Sequence, residues 1–93
     1  MTTNYNEPIS AGEKITRQQT LKAMERIMFT IGGKEGLLAW MAAMPAGVEI
    51  NASGGVSNEA LMAIAGDQEA YRGVMKAFAA HMGEKLTAMA EVL

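Results

Sequence analysis

Cysteine is absent from the 93-residue chain, which excludes disulfides and thiolate metal sites. Histidine occurs once, as His81, and a metal site needs two or more imidazoles or a carboxylate cluster. No cofactor is therefore expected. Only 4 Val and 6 Ile are present, too few β-branched residues for a sheet-dominated fold. Aromatic residues make up 5% of the chain, so single-stranded nucleic acid finds no stacking platform. The longest uncharged run, residues 36–48, is interrupted by Pro45 and is too short to span a bilayer. No membrane association is expected. The opening residues Met1-Thr2-Thr3-Asn4-Tyr5-Asn6 lack a basic segment followed by an apolar run, so no signal peptide is expected and the cytoplasm is the default compartment. Net charge is −2, which denies the whole domain a basic field for DNA or RNA.

What the chain does have is alanine and methionine, 16 and 9 residues. Both favour helices, and the expected fold class is all-α. The length suits one domain. So small a volume hides apolar area poorly, and methionine's flexible thioether suits adaptable interfaces. Both points favour sharing apolar surface with a partner.

The pattern along the chain predicts a small bundle of about four helices, with a flexible arm over residues 1–13 and one domain over 14–93. A capping box, Thr16-Arg17-Gln18-Gln19, predicts the first helix start. Leu21, Met24, Ile27, Met28 and Ile31 form its apolar face, with Gln18, Lys22, Glu25 and Arg26 opposite. Gly32-Gly33 predicts a stop and a tight corner. A second helix over 34–44, apolar almost all round, is expected to be the most buried element and to end at Pro45. Residues 45–57 read as a long irregular loop or a short hairpin with Val48–Ile50 as one arm, and loops of this length are often functional. A short third helix over 58–65 starts at Ser57 or Asn58. Asp67 caps a long C-terminal helix. Within it Tyr71, Met75, Phe78, Met82, Leu86 and Met89 follow coiled-coil spacing and form the candidate self-association seam, although an internal helix pair gives the same period. Gly73 and Gly83 are expected to mark close helix crossings.

Equipment for covalent catalysis is missing, and no enzymatic role is expected. His81 reads as a surface or interface imidazole, with Glu84 its only acidic helical neighbour. Gly32-Gly33-Lys34-Glu35-Gly36 and Ser53-Gly54-Gly55 lack phosphate-loop spacing. Residues 14–34 hold five basic side chains, Lys14, Arg17, Lys22, Arg26 and Lys34, and Arg17, Gln18, Lys22, Arg26 and Lys34 form the candidate contact set for nucleic acid or another partner.

The stretch Ile31-Gly32-Gly33-Lys34-Glu35-Gly36-Leu37-Leu38-Ala39-Trp40-Met41-Ala42-Ala43-Met44-Pro45 resembles a segment of small phage-encoded helical DNA-packaging proteins of the small terminase type. The resemblance covers about 15 of the 93 residues. It implies a homo-oligomeric phage protein, in the host cytoplasm, that recruits DNA to a packaging motor. The chain departs from that family in lacking a clearly basic recognition helix and in being short. The expected function is thus an oligomeric, non-enzymatic adaptor with a protein partner and possible DNA contact. The alternative is a small inhibitor that docks on a host or bacterial enzyme through an apolar, Met-rich surface.

Overall fold

The computed structural model describes residues 9–92 and, apart from residues 89 and 92, their side chains. Among them it contains three helices and no strand: α1 (Ala11–Ala43), α2 (Asn58–Ala65) and α3 (Gln68–Val92). None is long and apolar enough to cross a membrane. The count falls short of four because the Gly32-Gly33 corner is a break inside α1. Gly33 adopts φ 56°, ψ −134°, a conformation open to glycine at little cost. Helical hydrogen bonding resumes at once on the far side.

α1 also starts earlier than its Thr16 signal. Ser10 is the N-cap, its hydroxyl accepting from the Glu13 N–H at 3.2 Å. Residues 11–13 are therefore helical and not part of an arm, while residues 1–8 of that expected arm lie outside the described residues. Thr16 instead donates its hydroxyl to the Gly12 carbonyl within the helix. Ser10-Ala11-Gly12-Glu13 is itself a capping-box pattern.

The core consists of Leu21, Met24 and Met28 from the first arm of α1 and Trp40 from its second. Val56 joins them, with Leu61, Ile64 and Ala65 of α2 and Val74 of α3. Two members of the expected apolar face of α1, Ile27 and Ile31, instead stand in solvent at 38% and 54% exposure. The second arm is not buried all round either, for Leu38 points outward while Trp40 is fully enclosed. The arms meet where Gly36 lies on the Met28 backbone, and a Cβ there would overlap the Met28 carbonyl. Gly73 and Gly83, expected at crossings, face open space.

Residues 44–57 form a packed loop closed by one antiparallel bridge, Ile50 to Val56. Its turn is organised by Asn51, whose side-chain oxygen accepts from the Gly55 N–H and the Ser53 hydroxyl at 2.9 and 2.6 Å. Gly54 sits at φ 87°, pressed on Leu37. Ser57 caps α2 by accepting from the Ala60 N–H, and Asp67 caps α3 by accepting from Ala70.

Candidate interaction surface

Geometry around Glu25 decides what the first helix can offer a partner. Leu21, Glu25 and Met28 share one helical face, so Glu25 is buried at 7% exposure and not on the solvent side. One carboxylate oxygen accepts from the Trp40 indole N–H and from the Val56 backbone N–H, both at 3.0 Å. The other lies 3.8 Å from the Lys22 ammonium. This single side chain ties both arms of α1 to the loop.

The basic set is largely committed to the fold. Arg17 donates to the Gln68 side chain at 2.7 Å and lies over the Tyr71 ring, 4.6 Å from its centroid. Gln18 reaches Asn58 of α2, and Lys22 pairs with Glu25. Only Arg26 and Lys34 of the five are exposed side chains with no internal partner among the described residues.

The expected seam on α3 divides in two. Tyr71, Phe78 and Met82 pack against the core beside Val74. Met75 and Leu86 remain outside, at 36% and 62% exposure. Met89 lies outside the residues whose side chains are described. Beyond Met82, every described side chain of α3 except half-buried Lys85 is exposed.

At the α1 corner His81 meets Gly32, its Nε2 buried without a partner among the described residues. Its acidic neighbour comes from another helix segment: Glu35, which accepts from Lys85 at 2.6 Å. The Lys85 hydrogen bond and charge, with a smaller contribution from His81, hold the Glu35 carboxyl below the ordinary glutamate range. A depressed carboxyl stabilises the fold above its unfolded value, and that contribution disappears as pH falls through the folded value. Glu35 is fully exposed, so solvent screening keeps the effect small. Carboxyl NMR titration should find Glu35 protonating below the ordinary glutamate range, and Lys85→Ala should return it to that range. An unchanged midpoint in that variant would remove Lys85 as the cause.

A depression of about 350 Å³ is lined by Glu49, Ile50, Asn51 and Ser57, but the Ser57 hydroxyl already caps α2. Among the described residues no three His, Cys, Asp or Glu side chains gather as metal ligands. Sequence reasoning placed Glu25 on the solvent side and missed the contacts of Gly36, Glu35 and Lys85. The i, i+4, i+7 placement of Leu21, Glu25 and Met28 was the available signal for the first, together with a lone Trp whose buried N–H needs an acceptor. Comparison with protein-family models, curated proteins and solved structures returned no match.

Proposed function

We propose that the protein is a non-enzymatic helical adaptor that assembles with itself and, as an assembly, engages a protein partner. One observation carries the reading. Met75 and Leu86 of α3 and Ile27 and Ile31 of α1 are large apolar side chains left exposed. They sit beside a core that has room for few of them. Exposed apolar surface of this kind marks interaction sites when it is contiguous. Contacts between Arg17 and Tyr71 and between Gly32 and His81 set α1 and α3 side by side in parallel. Helical spacing then brings Ile27 and Ile31 along the flank that Met75 and Leu86 occupy.

The DNA-packaging role implied by the resemblance draws less support, because Arg17, Gln18 and Lys22 are already engaged internally. Light scattering at several concentrations, with duplex DNA retardation on the same samples, tests both parts. The reading expects a mass above 9.9 kDa that rises with concentration, and little retardation at physiological salt. Strong retardation abolished by Arg26→Glu with Lys34→Glu would move the function to DNA.

A further inference from the structure

We propose that the chain has a second, dimeric state in which α1 straightens at Gly33 and two copies exchange their first arms. The exchange does not use the exposed apolar side chains invoked above. It remakes the core contacts of the fold between two chains.

α1 departs from helical torsions at one residue in 33, Gly33, with φ 56° and ψ −134°. Turning that residue into the helical range converts the two folded-back arms into one rod about 50 Å long. Glycine adopts both ranges at little cost, so the corner is a hinge. The straight form also completes the backbone pairing that a helix end interrupts.

The contacts that hold the first arm in place run to residues beyond the hinge. Arg17 reaches Gln68 and Tyr71, Gln18 reaches Asn58, and Glu25 reaches Trp40 and Val56. Leu21, Met24 and Met28 enter a core whose other buried members all follow Gly33 in the chain. A first arm from a second copy can fill the same place and make the same contacts.

The register fits a two-fold dimer. Glu25 meets Trp40 and Met28 meets Gly36, so three steps forward along the first arm match four steps back along the second. That is antiparallel pairing, centred on residues 32 and 33. Two straight α1 helices in this register make each contact twice. They cross at Gly32-Gly33, where no side chain holds the axes apart. The residues on the crossing side are already in phase for an uninterrupted helix. Leu21, Glu25, Met28, Gly32, Gly36 and Trp40 are spaced 4, 3, 4, 4 and 4 residues apart, as on one face of a straight helix. A corner imposes no such phase on the arms it joins, because the torsions of Gly33 reset the second.

Releasing the first arm uncovers the core, so the folded chain exchanges slowly and the dimer is reached by refolding at high concentration. Gly33→Ala favours the straight form twice over. L side chains rarely adopt the torsions of the corner, and alanine is the best helix former. A Cβ at Gly33 meets nothing within 4 Å, so the change acts on the hinge alone.

Because the chain has no cysteine, introduced thiols are unique reporters. Gln18 and Asn58, whose side chains hydrogen-bond at 3.4 Å, lie on opposite sides of the hinge. The double variant Gln18→Cys with Asn58→Cys is refolded from urea at low and high concentration, with Gly33 and with Gly33→Ala. All samples are diluted to one concentration, bridged with a short bis-maleimide and run on a denaturing gel. A folded-back chain bridges within itself, whereas an exchanged pair bridges between chains. The expected result is covalent dimer after refolding at high concentration, with a several-fold larger share for Gly33→Ala. Intrachain product alone from the Gly33 chain, shown folded by circular dichroism, would overturn the exchange whether or not Gly33→Ala folds. A dimer mass in sedimentation with intrachain bridging only would overturn it too, and leave association through the exposed side chains standing. Covalent dimer from refolding, beside a folded-back form that stays monomeric at every concentration, would uphold the exchange and sink that association.

Discussion

Glu25→Ala is expected to destabilise the fold by about 3 kcal/mol, the cost of leaving two buried donors without an acceptor. The Trp40 indole N–H and the Val56 N–H both end on the same carboxylate oxygen. Neither finds water in its place, because Trp40 and Val56 are 0% and 2% exposed. An unsatisfied buried donor costs roughly 1–3 kcal/mol, and hydrogen bonds to charged groups are the stronger kind. Some of that loss is offset, since alanine no longer requires a carboxylate to be desolvated. Against a total stability of roughly 5–14 kcal/mol for a chain of this size, the effect is large. Glu25→Gln keeps an acceptor oxygen in place and should cost about 1 kcal/mol. Urea unfolding followed by Trp40 fluorescence reads both, as the chain has one tryptophan. Equal losses for the two variants would mean that the carboxylate is not the tie.

The second large effect is expected at Gly36. Alanine at a helical glycine ordinarily stabilises by up to ~1 kcal/mol. Here the added methyl would overlap the Met28 carbonyl, and backbone cannot swing aside as a flexible side chain does. The two arms of α1 must separate at their closest point, with Met28 and Trp40 losing packing on either side. Overpacking of this kind costs roughly 1–3 kcal/mol or more, so Gly36→Ala should lower stability by about 2 kcal/mol. Gly73→Ala serves as the control, because that position faces open space. It should raise stability by ~0.5–1 kcal/mol, the ordinary helix gain. Thermal unfolding that moved both variants in one direction would contradict the described contact at Gly36.

Much of the helix content was legible in the sequence, because period and caps are local signals. The Ser57 and Asp67 caps, the Pro45 boundary and the α2 span all follow from residues close in sequence. What escaped depends on tertiary neighbours. The Gly32-Gly33 corner was legible too, with a helix expected over 34–44 beyond it, but the Gly36–Met28 contact that fixes how the two arms meet was not. Ile27 and Met28 satisfy the same 3–4 spacing, and only the position of α3 and the second arm decides which one is covered. Glu25 was assigned to water by its charge, although its spacing put it among apolar residues. The α3 seam was visible as a period, but a period does not say which side the chain's own core takes. Tyr71, Phe78 and Met82 belong to that core, and Met75 and Leu86 stand off it.

That division also selects the variant for testing assembly. A charge at Met82 would disturb the fold and any interface together, since Met82 packs against the core. Leu86, at 62% exposure, separates the two effects. The most direct measurement is sedimentation equilibrium of the unmodified protein and of Leu86→Lys over the same concentration range. The account predicts a mass that climbs toward twice 9.9 kDa for the first. The second should stay monomeric with unchanged helix content. An unmodified protein that is monomeric throughout, or a Leu86→Lys variant that associates equally well, would contradict it.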